Sequence, residues 1–349
     1  MFGMKPYLSI VIPAYNASET LERLLASLSK STFKNFEVIV GDDASNQQLT
    51  VNRLQNNRKK TYRLRVVRLT RNRGPAAARN AASKKAKGEV LVFLDSDVTV
   101  YSDTLAKIAV KFKKDHDLTA ITGVWDKHQK TKAFFPQFKA LRDWSYWTNE
   151  RDRDGYYYLF STRIAAIRRE VFLRLGGFNE AFRQMEDVEF TYRIAKRYAI
   201  IFAPDVRVHH EFEGFSAIAQ KYFWRSYYWT KLYKERKKFD PVATTVWESM
   251  AGVSGAGAVG TLMLGFVVFF FIPSGMVKLV SLAAFALLLL IHIFLLRKFL
   301  RFVYTEKGFG FMMKALGVGL VLYCIILGGA LYYSIRTPTR PRAQAGVVS

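Results

Sequence analysis

The stretch GEVLVFLDSDVTV, residues 88–100, runs five apolar residues, Val90 to Leu94, straight into two acids, Asp95 and Asp97, with Ser96 between them. An apolar run of this length bounded by turn residues reads as a strand buried on both faces, as in a parallel sheet covered by helices. In an open α/β sheet, ligands bind beyond the carboxyl ends of the strands. The acids therefore stand where a ligand would. Asp-Ser-Asp is also ordinary turn and helix-cap chemistry, so the tripeptide needs the rest of the chain to give it meaning.

Working outward, the same alternation of strand and helix recurs through the first 125 residues. LSIVIPAY ends its apolar run at Pro13, and ASETLERLLASLSK follows with Leu21, Leu24, Leu25 and Leu28 at helical spacing behind Ser18 as a cap. Then come the strand FEVIVGDDAS, a polar helix near Gln47 to Asn57, the strand YRLRVVRLT, and the alanine-rich helix GPAAARNAASKKAKG. Short-spaced strand and helix in alternation predict an α/β fold with a doubly wound, mostly parallel sheet. The loops gathered at its carboxyl edge are PAYN, GDDAS and DSD. Tyr15 offers an aromatic face to a base, Asp43 a carboxylate to base or ribose donors, and Asp97 an oxygen to a metal. The Gly-x-Gly-x-x-Gly that dinucleotide binding requires after the first strand is absent, and VIPAYN stands in its place.

Composition divides the 349 residues in two. Residues 1–240 mix charged and apolar residues as a water-facing domain does, whereas 241–349 carry three apolar stretches, about 251–272, 275–296 and 310–335, each long enough to cross a bilayer. Only PSG separates the first two, which predicts a tight hairpin. The basic segment KLYKERKKFD before the first stretch and the loop RKFLRFVYTEKG after the second place the large domain in the cytoplasm by the positive-inside rule. Three full crossings would leave the arginines of RTPTRPRAQAG on the far side, against that rule. The start of the chain, MFGMKPYLSIVIPAYN, lacks the charged leader, apolar core and cleavage site of a signal peptide, and none is expected. The expectation is an integral membrane protein with a cytoplasmic catalytic domain. Fifty-three Lys and Arg against 28 Asp and Glu give a net charge of +25, suited to an anionic leaflet and phosphorylated ligands; with apolar spans in the chain, no nucleic-acid partner is needed to explain it. The single cysteine, Cys324, excludes an intrachain disulfide and a cysteine-based metal centre.

LSIVIPAYNASETLERLLASL, FEVIVGDDAS, NRGPAAARNAASKKAKGEVLVFLDSD, LGGFNEAFRQMEDVEFTYRI and VRVHH, in that order, resemble glycosyltransferase family 2 with its GT-A fold, over roughly residues 7 to 235. The resemblance implies a nucleoside diphosphate sugar donor touched by Pro13, Tyr15, Asp43, Arg79, Asp95 and Ser96. It implies a divalent cation, Mg2+ or Mn2+, on Asp97 and a later histidine. The spacing Val-x-His fits His210 best, since alternation puts Val206, Val208 and His210 on one strand face. His209 is the alternate. Asp187 is implied as general base toward the acceptor, with Glu186 beside it to orient acceptor or donor, although acids in a first helical turn also favour the helix dipole.

Where processive synthases of the family carry Gln-x-x-Arg-Trp, this chain has Gln220, Trp224 and Arg225 in another order and spacing, which leaves Arg225 able to reach a diphosphate but puts processivity in doubt. An interfacial helix with an aromatic belt explains Tyr222, Phe223, Tyr227, Tyr228 and Trp229 equally well. Phe134, Phe135, Phe138, Leu141, Trp144 and Trp147 form a second stripe, readable as core or as a headgroup-layer surface admitting a lipid-linked acceptor. The expected reaction is inverting transfer of one sugar to a hydroxyl of a lipid-linked or glycan acceptor, with membrane lipids as partners. A polyprenyl phosphate acceptor is the alternative, and because phosphate is already ionised it needs no base.

Overall fold

The structure, a computed structural model, describes residues 5–46, 62–151, 158–182, 184–236 and 245–336. The chain packs as two units, Met1–Gly214 and Phe215–Ser349, so the boundary by packing falls ahead of the compositional break near 240. The polar helix expected near Gln47 to Asn57 lies outside the described residues, as does nearly all of RTPTRPRAQAG.

The first unit is built on an eight-stranded sheet, counted among the described residues, in the order β3-β2-β1-β4-β7-β6-β8-β5. The strands β1 (Leu8–Ala14), β2 (Phe36–Asp42), β3 (Arg63–Arg68) and β4 (Val90–Leu94) are mutually parallel, as the alternation predicts. The sheet as a whole is mostly parallel, as expected, and its second half is mixed. There β5 (Val98–Val100) and β7 (Ile164–Arg168) run antiparallel to their neighbours, while β6 (Ala120–Trp125) and β8 (Ile200–His210) run parallel to each other. Every side chain of β4 is buried, the pattern of a strand covered on both faces.

Helices α1 (Ser18–Ser29), α2 (Pro75–Lys84) and α3 (Thr104–Lys114) follow β1, β3 and β5. Leu21, Leu24, Leu25 and Leu28 are the buried face of α1, but Ser18 is already inside the helix and caps nothing; Ala17 precedes it. Alanines let α2 lie close on the sheet. A Cβ built on Gly41 of β2 would stand 2.2 Å from the Ala78 carbonyl oxygen, so only glycine admits this approach. Helix α4 (Phe134–Ser145) runs into one π turn, Tyr146–Glu150. Its aromatic stripe is core material: Phe135, Phe138, Leu141 and Trp147 are buried, and Trp147 packs with Trp125, Tyr158 and Phe202. Short α5 (Arg169–Arg174) and α6 (Glu186–Ala195) complete the unit.

The second unit holds α7 (Phe215–Arg236), α8 (Val246–Phe271), α9 (Gly275–Leu295), α10 (Arg297–Lys307) and α11 (Phe309–Arg336). Helices α8, α9 and α11 are long and apolar enough to cross a membrane, and α8 and α9 form the expected hairpin. The segment read as a basic loop, RKFLRFVYTEKG, is instead the helix α10, with Phe299, Leu300 and Val303 buried on one side. Its apolar residues recur at 299, 300 and 303, a helical spacing that its charges obscure in the sequence.

Candidate active site

Pairing of β5 with β8 sets Val98 opposite His210, and this register brings the DSD loop beside the paired histidines. His210 Nε2 stands 3.4 Å from Asp97 Oδ2. Its ring is buried against Phe212, at 4.6 Å between centroids, and Gln129 clamps the strand end by donating to the His210 carbonyl and accepting from the Phe212 N–H. His210 Nδ1 is buried with no hydrogen-bond partner. An unmet buried polar atom costs free energy, so the ring's placement is explained by what Nε2 faces. Partial burial works against ionised Asp97, yet the His210 hydrogen bond and charge, with the charge of Arg163, hold its carboxyl below the ordinary aspartate value.

His209 points elsewhere. It sits 2.7 Å from Glu211 Oε1 and 3.5 Å from Asp126 Oδ1, and the hydrogen bond to Asp126, seconded by Glu211, raises its pKa. Asp126 in turn accepts from the Tyr101 hydroxyl and the His128 N–H. His209 thus belongs to a separate acidic pocket, and the alternation that favoured His210 is what the sheet delivers.

At the end of β4, Asp95 is joined to Glu186, the first residue of α6, by one buried cation. Arg79 donates to Asp95 Oδ1 and to Glu186 Oε1, each at 2.6 Å. Burial opposes the Arg79 charge, and the two carboxylates more than offset it, raising its pKa. Glu186 is held above the ordinary glutamate range by burial and by the neighbouring Asp187 charge, against the pull of Arg79. Glu186 therefore orients Arg79, a task beyond the donor or acceptor contact its motif implied. Asp187, half-buried, accepts through Oδ1 from the N–H of the following Val188 at 2.9 Å, and its carbonyl accepts from the Thr191 hydroxyl. Met185, immediately before the pair, holds φ at 69°, a left-handed backbone that a methionine adopts at a cost and that clusters at functional sites.

The next residue of α2 fixes the approach to these acids. Asn80 donates to the Phe178 carbonyl and Glu180 and accepts from the Phe178 N–H, latching the GGFNE loop to α2. At the first loop, Tyr15 is 47% exposed, and the turn around it is tied to the second loop by Asn16 and Ser45. Asp43 accepts from the Arg73 and Gly74 N–H groups, both at 2.8 Å, so this carboxylate also anchors the entry to α2. Pro13 and Ser96 are half-buried at the ends of β1 and β4. Arg225 lies exposed on α7 of the second unit.

Arg163 was missed. Its guanidinium stacks on Trp125 at 4.4 Å, 3.9 Å from Asp143, and its charge is felt at Asp97. A lone cation immediately before the buried strand IAAI was the available signal.

Residues 9–176 match the model of glycosyl transferase family 2. A relative from Haemophilus influenzae, an uncharacterized glycosyltransferase, is 27% identical over 192 residues, 54% of this chain and 61% of the relative. TarS of Staphylococcus aureus, a poly(ribitol-phosphate) β-N-acetylglucosaminyltransferase, is 40% identical over 111 residues, 31% of this chain and 19% of the relative. The chain thus spans less than two thirds of the length of these relatives. The mannosyltransferase PcManGT from Pyrobaculum calidifontis, solved with GDP-Man and Mn2+, superposes with a TM-score of 0.57 over 95% of this chain and 88% of its own at 19% identity. The strand order, the acids at the carboxyl edge and these matches agree, and the chain carries a glycosyltransferase family 2 domain with a GT-A-like fold.

Proposed function

We propose that the chain transfers a sugar, with inversion, from a nucleoside diphosphate sugar to a hydroxyl of a lipid-linked or glycan acceptor at the cytoplasmic face of a membrane. The observation that carries this reading is the meeting of Asp97 and His210 beside the Asp95–Arg79–Glu186 chain at one edge of a family 2 domain. A carboxylate oxygen and an imidazole nitrogen suit Mg2+ or Mn2+. Neighbouring donors of an octahedral ion at about 2.1 Å stand roughly 3 Å apart, close to the separation seen. Asp97 and His210 would hold the ion, with substrate oxygens and water completing its shell. When bound, it supplies Lewis-acid stabilisation to the departing diphosphate.

The chain's own groups do the rest. Arg79 fixes Asp95 and, through Glu186, the start of α6, so the loop acids need little rearrangement when the donor arrives. Tyr15 gives the base an exposed aromatic face. Asp187 takes the proton of the acceptor hydroxyl; Glu186, engaged by Arg79, does not compete for that role. Binding and hydrolysis of a panel of UDP- and GDP-sugars, with Mn2+ and with EDTA, tests the donor and ion together. Tight, Mn2+-dependent binding of one donor is expected, and equal binding of all donors in EDTA refutes the reading. The second reading, a polyprenyl phosphate acceptor, is favoured by the apolar helices next to the domain in the chain. Turnover of lipid alcohol against lipid phosphate acceptors separates the two.

A further inference from the structure

Helix α11 has 28 residues, enough for about 42 Å. A third span standing beside α8 and α9 would meet them middle to middle. It does not. Its midpoint, near Leu322 and Tyr323, lies against the chain-polar ends of the hairpin: Tyr323 covers Gly252 and stacks edge-on with His292 at 5.5 Å, and Leu320 covers Gly255. The same end is closed by His292 Nδ1, 2.8 Å from the Ala251 carbonyl oxygen. Gly252 is some six residues, or roughly 9 Å, short of the middle of α8.

Both ends of α11 meet charged helices. Its start follows α10 directly across Gly308 and contacts that helix, which carries Arg297, Lys298, Arg301 and Lys307. The second half lies along α7, which carries Lys221, Arg225, Lys231 and Lys234. This contact is intimate: a Cβ on Gly329 would stand 2.2 Å from the Phe223 carbonyl oxygen, and Tyr332 and Tyr333 pack with Phe223, Trp224 and Tyr227. Lys234 and Arg336 lie over Tyr333 and Tyr332. Aromatic rings capped by basic side chains are the composition of the headgroup layer, and so many cations do not follow α11 into hydrocarbon. Among the described residues the exposed side of α11 is apolar between Lys314 near its start and Ser334 and Arg336 at its end, with Val321, Leu327 and Leu331 exposed, and Phe309, Met313 and Ile335 exposed beside those polar residues.

We infer that α11 does not cross the bilayer but lies along the headgroup boundary, roofed by α7 and α10, with its uncovered apolar side resting on lipid acyl chains and its end on the side of the family 2 domain. Basic α7 and α10 make an anionic leaflet the partner. The chain then crosses only with α8 and α9, and the arginines after Ser334 stay on the side that the positive-inside rule requires. The inference is independent of the reaction catalysed.

Two measurements on the full chain in membranes test it. Reporters fused to the N-terminus and C-terminus, green fluorescent protein in one set and alkaline phosphatase in the other, should report the same side, while a Ser274→Cys probe in a Cys324→Ser background labels from the opposite one. C-terminal phosphatase activity with N-terminal fluorescence overturns the inference. Nitroxides at positions 313, 321 and 331 in the Cys324→Ser background should show equal, shallow depths. A deep central label between two shallow ones, the profile of a crossing helix, overturns it independently.

Discussion

At the scale of single residues, the two histidines and two acid pairs divide, under the proposed function, into groups that act and groups that hold. His210 faces Asp97 while His209 is spent on Asp126 and Glu211. Asp97→Ala is expected to abolish transfer and remove the Mn2+ dependence of donor binding; His210→Ala should do the same more mildly, and His209→Ala should leave metal dependence in place. Titration of donor binding against Mn2+ separates the three. Asp187→Asn keeps the size of the side chain but cannot take a proton, so turnover on a hydroxyl acceptor should fall by about a hundredfold to ten-thousandfold with donor affinity retained. Calorimetry for the donor and initial rates for the acceptor read the two effects separately. Near-normal turnover in Asp187→Asn would move the acceptor to an already ionised phosphate.

At the scale of elements, the approach of α2 to β2 and the anchoring of α1 make independent demands. Gly41→Ala places a methyl group against the Ala78 backbone, which cannot swing away as a side chain could. A loss of roughly 1–3 kcal/mol, seen as a lower melting temperature of the detergent-solubilised protein, is expected. Tyr62 donates to the Leu25 carbonyl at 2.8 Å, and burial pushes its phenol up to about 12. A folded-state pKa above the unfolded value favours the protonated phenol in the fold. Its contribution is therefore complete below pH 10 and is lost as pH rises from 10 to 12. At about 1.4 kcal/mol per unit this is up to roughly 3 kcal/mol. Tyr62→Phe should be less stable than wild type at pH 8 and should lose less stability between pH 9 and 11, measured by denaturant unfolding at each pH.

At the scale of the whole molecule, apolar α8 and α9 are expected to hold the chain in the bilayer irrespective of salt. The full-length protein should remain in the membrane pellet after alkaline carbonate and high-salt washing. Release by either wash would reduce its membrane affinity to the attraction between a chain of net charge +25 and anionic lipid. Separately, the two units divide at Gly214, so α7 travels with the membrane helices although its composition reads as part of the water-facing domain. Lys and Arg on a headgroup-layer helix look the same in sequence as those on a solvated one.

The sequence by itself determined the parallel half of the sheet, the acids at its carboxyl edge and the apolar hairpin, because period, run length and turn chemistry are local properties. Val90 to Leu94 announce a doubly covered strand without reference to any partner. Alternation along β8 already favours His210 over His209; tertiary structure alone decided that His210 stands beside Asp97, that one arginine joins Asp95 to Glu186, and that Arg163 bears on Asp97. Each of these joins residues brought together by strand register or helix packing, and neither is encoded in the spacing of nearby residues. The strand directions in the mixed half of the sheet escaped for the same reason: β6 and β7 are apolar runs, β8 alternates with Asp205 and Arg207 exposed, and neither pattern encodes a direction, which chain crossings set. The packing of α11 is the extreme case. Its composition says only that it avoids water, while its partners, α7 and the first turns of α8 rather than the middles of α8 and α9, carry the inference about where in the membrane it lies.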